Sequence, residues 1–324
     1  MMRQFAKFMF RVSLVLTLTV VSALRAGAQY VLVELNCENL FDTTHDAGKN
    51  DYAYTPEGTN HWTRTKYWNK LNNIAREVLS CSDRLPDLVA LVEVENDSVL
   101  HSLTRRTLLR RASYEFLVTS STDKRGIDVA LLYQPSRFMP LCYDEIRIDT
   151  MPGMRPTRDI LRVSGVTHGN DTLHIFVVHM PSRYGGELET RKYRNHVAGV
   201  IRREVNSLAG GNVIVTGDFN DYSDSQSMLL LEQGSLHNIT AGVQGLNGRA
   251  QGTYRFRGEW HSIDHVLVSE NLLPHVITAY INDSEFLLEK DDTYGGWRPL
   301  RSFTGSTRHG GFSDHLPLVV NFSF

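Results

Sequence analysis

The chain has 324 residues, 41% of them hydrophobic, with 34 basic and 36 acidic side chains. That supports one large domain with its own core, and the composition excludes a disordered, collagen-like or repeat-built chain. A formal charge of -2 excludes a general attraction to polyanions, so any polyanion must be held by a local site.

The first 28 residues read as a segment apart from the fold. Arg3, Lys7 and Arg11 make a basic start, 12–24 is an almost unbroken apolar run, and Ala26-Gly27-Ala28 supplies the small residues of a cleavage site. This order predicts a cleavable signal peptide over 1–28, a mature domain over 29–324 and a secreted or periplasmic location. The run is shorter than the ~20 apolar residues of a spanning helix, so no stable membrane span is expected. The leader takes away four basic residues, Arg25 among them, and no acidic ones, leaving 30 basic against 36 acidic, a balance of -6. Cys37, Cys81 and Cys142 are too few for a disulfide framework. They read as buried small hydrophobes, with one pairing left open.

Along the mature chain, 30–35 is a short β-branched apolar run and reads as a strand. Between 62 and 80, Leu71, Ile74, Ala75, Val78 and Leu79 recur at helical spacing. Pro86 and Asp87 break that helix, and 88–94 follows as a buried strand. Further strands are expected at 114–119, 128–133, 160–166, 173–179, 212–216, 263–268, 276–281 and 316–324. A second long helix is expected from about 189 to 208, with Val197, Val200, Ile201, Val205 and Leu208 on one face. The stretch 283–311 is polar, rich in Gly and aromatics and without period, so it reads as a long functional loop. Strands apolar on both faces and two long helices suggest stacked sheets with helices outside, an α+β or α/β layered sandwich. No linker divides it.

Polar residues mark the strand ends. Asn36 and Glu38 stand in L-N-C-E-N-L-F-D, Glu93 interrupts L-V-A-L-V-E-V, and His179 ends I-F-V-V-H. Asp218 and Asn220 lie in G-D-F-N, Asp264 in S-I-D-H-V, and Asp314 and His315 in F-S-D-H-L-P. Any one of these is an ordinary turn or capping residue; together they can converge at one sheet edge. Carboxylates and amides without thiolates suit a hard cation, Mg2+, Mn2+ or Ca2+. Histidines near carboxylates supply acid–base groups near neutral pH. The set suits hydrolysis of a phosphate ester.

The ordered series N-C-E-N-L-F-D, A-L-V-E-V-E-N, R-G-I-D-V-A-L-L-Y, V-V-H-M-P-S-R, G-D-F-N-D, S-I-D-H-V and F-S-D-H-L-P resembles the endonuclease/exonuclease/phosphatase superfamily, from about Val31 to Phe324. The resemblance implies an α+β fold, a four-layered α/β/β/α sandwich of two mainly antiparallel sheets flanked by helices. It implies a metal on Glu93, supported by Glu38, Asn36 and Asp314. It gives His315 the role of general base, oriented by Asp264, while Asp218 and Asn220 position water and phosphate. His179 becomes a second histidine that stabilises the phosphate or protonates the leaving oxygen, with Asp128 as a candidate to orient it. Arg158 and Arg183 are candidate phosphate clamps, with solvated strand-edge charges as the alternative. Trp297 and Arg298, with Arg301, are candidate substrate contacts on 283–311, expected to cover the active-site mouth near His315. The implied activity is metal-dependent hydrolysis of a phosphodiester, nucleic acid among the candidate substrates. The motifs do not separate a nuclease from a phosphomonoesterase or a lipid phosphodiesterase. A non-catalytic binding member would be expected to lack one of Glu93, Asp218, Asn220, Asp264, Asp314 or His315, and none is lacking. The oligomeric state is not legible in the sequence.

Overall fold

A computed structural model describes residues 29–324 apart from Ser306; the signal peptide expected over 1–28 lies outside the described residues. Two six-stranded sheets carry the architecture. The strands in chain order begin with β1 (Gln29–Leu40), β2 (Leu88–Val94), β3 (Glu115–Val118), β4 (Asp128–Tyr133), β5 (Phe138–Ile146) and β6 (Ile160–Thr167). There follow β7 (Thr172–His179), β8 (Asn212–Asp218), β9 (Leu236–Asn238), β10 (Tyr254–Phe256), β11 (Glu259–His261) and β12 (Asp264–Ser269). The last are β13 (Val276–Ile281), β14 (Leu288–Lys290), β15 (Trp297–Pro299), β16 (Phe303–Thr304), β17 (Thr307–Arg308) and β18 (Leu318–Ser323).

The first sheet runs β13-β18-β1-β2-β4-β3 and the second β5-β6-β7-β8-β12-β9. All neighbours pair antiparallel except β1 with β2 and β7 with β8. The four α-helices among the described residues are α1 (Arg64–Leu79), α2 (Asp97–Arg106), α3 (Glu187–Asn206) and α4 (Gln226–Glu232). The Thr63 side chain caps α1 by accepting from the Lys66 amide, and Asn96 Oδ1 caps α2 by accepting from Val99 at 3.0 Å.

Alternation along β1 explains the layers. Tyr30 and Leu32 enter the core between the sheets with Ala90, Val92, Ile175 and Ile214. Val31, Val33 and Leu35 face the other way and pack with Leu71, Ile74 and Val78 of α1 and Leu100 and Leu103 of α2. On the far side, Phe176, Val178 and Val215 pack with Val197, Ile201 and Val205 of α3 and Met228 and Leu231 of α4. Each central strand is therefore apolar on both faces, which is why the sequence shows runs there instead of alternation. The expected four-layered α/β/β/α sandwich is the fold observed.

Three local expectations are corrected. The stretch 283–311 is not an unstructured loop: it holds a short 3-10 turn at Glu285–Leu287 and the two small hairpins β14–β15 and β16–β17. Strands of two or three residues are too short for an alternating pattern to register. The stretch 254–261, for which no element was expected, forms the hairpin β10–β11. Cys37 and Cys81 are buried, but Cys142 is exposed on the edge strand β5, and all three are free.

Candidate active site

The topology brings the polar strand ends together. Because β1 and β2 run parallel, as do β7 and β8, their C-terminal ends fall on one side of the molecule. There His179 stands opposite Asp218, and the antiparallel β12 places Asp264 opposite Asp218 from the other side. Gly217, before Asp218, has φ 141°, and a Cβ there would lie 1.9 Å from the Val178 carbonyl oxygen. Only glycine lets β7 and β8 close at this point.

Two carboxylates escape the strand alternation. In β2, Val89 and Leu91 face the helices, and strict alternation would send Glu93 with them. The register instead slips between Val92 and Val94, Glu93 takes φ 60°, and Val94 occupies the helix-facing layer. In β1 the register slips between Asn36 and Leu40, where Glu38 has φ 49° and Asn39 φ 60°. Asn220 has φ 51°. The left-handed region costs a non-glycine residue roughly 1–2 kcal/mol, so strain is concentrated where carboxylates and amides are turned toward the cavity.

His315 and Asp264 form a buried pair, Nδ1 lying 2.8 and 3.1 Å from the two carboxylate oxygens. Burial disfavours a charged imidazole, but Asp264, Asp314 and Asp218 outweigh it and hold the His315 pKa well above its usual value. Asp218 accepts from Asn36 Nδ2 at 3.1 Å and from the Asn220 amide at 2.7 Å. Burial and the neighbouring Asp264 push its pKa up to about 7. His179 Nε2 lies 3.6 Å from Asp218 and 3.9 Å from Glu93, while its Nδ1 has no partner. Burial, then Arg158 and Arg125, hold the His179 pKa well below the usual value, so this ring is neutral. Asp128 does not orient it; its Oδ1 accepts from Thr119 Oγ1 and the Ser121 amide and fixes that turn.

The donor set fits a hard divalent cation. Glu93, Glu38, Asp314 and Asn36 offer oxygen only, all in one cavity. Arginines meet the carboxylates: Arg125 reaches Glu93 at 3.2 Å, and Arg301 reaches Asp314 at 2.8 Å and Glu38 at 3.5 Å. Burial and Asp314 still lift the Glu38 pKa to about 7, the mark of negative charge crowded beyond its counter-ions. Glu38 also accepts from the Ser302 and Phe303 amides at 2.6 and 3.2 Å, so it anchors that segment as well. Asp218, Asp264 and His315 bring ligand atoms within 4.8 Å of one another, and Glu93, Glu38 and Asp314 lie in the same cavity as Asp218 and His315.

These groups line a cavity of about 720 Å³. Its walls include residues that no sequence pattern singles out. Tyr254 bridges to His315 and its ring lies 4.9 Å from the imidazole. Tyr222, His261 and Phe303 also face the cavity, and Arg125 joins Arg183 and Arg301 as its cations. Arg125 stands in K-R-G-I-D and the tyrosines in turn-rich stretches, where no period singles them out.

The candidate substrate contacts part company. Arg183 lines the cavity. Arg158 does not: it is buried, donating to the Met180 carbonyl at 2.5 Å and lying 3.4 Å from Asp123. Arg298 pairs with Glu289 at 2.8 Å beside a smaller neighbouring pocket. Trp297 packs on the core with Lys290 over its ring at 3.4 Å, and is not among the residues that line the cavity. From 283–311 it is Arg301, Phe303 and Gly305 that reach the cavity. Trp62 is buried, its indole donating to the Phe41 carbonyl at 3.0 Å. No helix among the described residues is long and apolar enough to cross a membrane.

Comparison with known proteins agrees with this architecture. A protein of the same family name from Bacteroides thetaiotaomicron superposes with TM-score 0.62 at 18% identity, covering 92% of this chain and 98% of its own. A mannosyl-6-phosphatase from the same organism gives 0.58 at 17%, covering 91% and 100%, and a humanized D. rerio TDP2 gives 0.57 at 16%, covering 91% and 99%. At these identities the likeness establishes the fold. No curated protein sequence matches. The family model for the endonuclease/exonuclease/phosphatase family matches residues 31–323, nearly the whole described chain, and the protein therefore belongs to that family of phosphoester hydrolases.

Proposed function

We propose that the protein is an exported, divalent-metal-dependent phosphodiesterase that cleaves its substrate in one step by attack of water. The observation that carries this is the meeting, in one cavity, of the Asp264–His315 pair, Asp218, neutral His179 and an oxygen-only carboxylate cluster. A divalent ion held by Glu93 and Asp314, with Glu38 and Asn36 in support, would supply positive charge to a phosphoryl oxygen. The family generally uses such ions, and Glu93, Glu38 and Asp314 share the cavity in which this chain would hold one.

The protonation states divide the remaining roles. Asp218, fixed by Asn36 and Asn220 and with its pKa lifted to about 7, is matched to take a proton from water near neutral pH. His315 keeps its proton on Nδ1 toward Asp264 and presents Nε2–H to the cavity, where it holds the charge that builds on the phosphoryl oxygens. This moves the base assigned to His315 by the family resemblance onto Asp218. Neutral His179 can donate from Nε2 to the same oxygens or to the leaving oxygen.

The cavity, about 720 Å³ in volume, is lined in part by Tyr254, Phe256 and His261 of β10–β11, and the mature chain carries a balance of -6. Both favour small or single-stranded phosphoesters over a duplex laid along a basic track. The likeness to a mannosyl-6-phosphatase supports a second reading, hydrolysis of a phosphomonoester in the same cavity. Rates on bis(p-nitrophenyl) phosphate and p-nitrophenyl phosphate with Mg2+ or Mn2+ decide between them. We expect the diester to be the better substrate, EDTA to abolish turnover, and His315→Ala and Asp218→Asn each to lose about 10²–10⁴-fold. Full turnover after exhaustive chelation would refute the reading. Export follows from the leader, and N-terminal sequencing of exported protein should start at or within a few residues of Gln29.

A further inference from the structure

Three arginines face the cavity, and two are committed. Arg125 serves Glu93 and Asn39, and Arg301 serves Asp314 and Glu38. Arg183 has no acceptor among the described residues, and its Nη1 is buried without a hydrogen bond. Glu187 feels its charge, but both Glu187 oxygens are taken by Arg191 at 2.8 and 2.9 Å. The Arg183 guanidinium lies 4.1 Å above the Tyr222 ring, and Tyr222 stacks on His261 at 4.9 Å with 16° between planes. Stacking fixes the guanidinium plane and leaves its in-plane N–H groups to an acceptor. An uncommitted cation held this way at a cavity wall has the form of an anion clamp.

The stack is coupled to the reacting centre. His261 pairs directly across the β10–β11 hairpin with Tyr254, so the two side chains share a face. Tyr254 in turn packs on His315. Arg183 also follows His179 by four residues at the end of β7. Glu259, 82% exposed, reaches His261 Nε2 at 3.9 Å from the solvent side. Tyr184 and Phe256, 82% and 52% exposed, stand at the same mouth as apolar rim.

Resting on the phosphoesterase reading above, we propose that the Arg183–Tyr222–His261 stack is a second anion subsite, which selects phosphoesters that carry a further phosphate beside the one hydrolysed. That chemistry occurs in nucleotides with two separate phosphates and in sugar bisphosphates, and binding measurements distinguish them. Calorimetry of the full mature protein with Mg2+ would compare adenosine 3′,5′-bisphosphate with AMP, and glucose 1,6-bisphosphate with glucose 6-phosphate. In at least one pair the bisphosphate should bind about 10- to 100-fold more tightly, the worth of one charge-assisted bidentate contact. The pair that shows the advantage names the source. Arg183→Gln should reduce the advantage to within about twofold, and Arg183→Lys, which keeps charge without the planar fork, should retain only part of it. Thermal unfolding of each variant confirms that it is folded. Equal binding within both pairs, or an advantage that survives Arg183→Gln, overturns the proposal. Because calorimetry needs no turnover, that failure is separate from failure of the phosphoesterase reading, which shows as no hydrolysis of either aryl ester by the parent protein.

Discussion

Asp264 illustrates how much a single side chain sets at this site. It is buried, it stands opposite Asp218 in the sheet, and it holds His315 through Nδ1. It is also the largest influence favouring the charged imidazole against burial. Asp264→Asn preserves the shape, removes the charge and can reverse the hydrogen bond that fixes the tautomer. Burial then acts on His315 unopposed by its main partner, and the imidazolium that faces the phosphoryl oxygens is lost. We expect kcat to fall by about 10²–10⁴-fold while thermal unfolding stays cooperative. A variant within threefold of the parent rate would show that His315 does not work through Asp264. Glu93 and Asn220 make the complementary point. Both accept a left-handed backbone to aim a side chain, a cost that the surrounding bulges and hydrogen bonds must sustain.

At the scale of elements, the segment from Leu300 to Phe312 owes its place to α1. Lys70, 2% exposed, donates from Nζ to Ser302 Oγ at 2.7 Å and to the Phe312 carbonyl, and lies 3.9 Å from Glu38. Asn73 Nδ2 donates to the Gly310 and Gly311 carbonyls at 3.0 and 2.8 Å. Arg76 lies over the Phe312 ring at 5.3 Å. One helix face therefore holds the strap that brings Arg301 and Phe303 to the cavity. Lys70→Met should destabilise the protein by about 3–5 kcal/mol, since it strips buried Glu38 of a counter-charge. It should also speed hydrogen exchange at residues 300–312 more than in β1 or β8; equal exchange there would deny the strap role. The long central strands, both long helices and the strand-end carboxylates were legible because each is an extended periodic run or a polar break in an apolar one. The β10–β11 hairpin was not, since its three-residue strands carry no period and its φ-positive turn sits at Arg257-Gly258. Tyr222, Tyr254 and His261 were missed with it. Nor could L-V-A-L-V-E-V show that a bulge would turn Glu93 from the helix side toward the cavity; that is a property of register, fixed only when β2 meets β4.

The molecule as a whole carries more buried acid than its buried base can match, and stability should report it. A divalent ion at the Glu93–Asp314 cluster would relieve the crowding, so Mg2+ should raise Tm by the linkage expected of a native-state ligand, about 2.7 kcal/mol at 100 times Kd. The rise should vanish with EDTA and be smaller in Glu93→Gln; a Tm indifferent to Mg2+, Mn2+ and EDTA alike would count against a cation there. Glu77 offers a test away from the cavity. It sits on α1 within the helix-facing core, fully buried, and neither carboxylate oxygen has a partner. Burial raises its pKa from 4.5 to about 8, although Lys70 works in the opposite direction. Between those two values the folded chain holds this proton and the unfolded chain has released it. Folding then takes up a proton, so stability falls as pH rises across the window, by at most about 1.4 kcal/mol per pH unit for one group. Below pH 4.5 the group is neutral in both states and this penalty is absent. Glu77→Met fills similar volume without a carboxyl, so its advantage over the parent should be small at pH 5, grow up to about pH 8 and level off above it, reaching at most about 5 kcal/mol. The comparison is a difference between two proteins that share every other titrating group, including Glu38 and Asp218, so it isolates the one carboxyl. Chemical denaturation of both at pH 5, 7 and 9 would measure it, and a difference that shrinks or stays flat with rising pH would mean that Glu77 is ionised and paired in the folded protein.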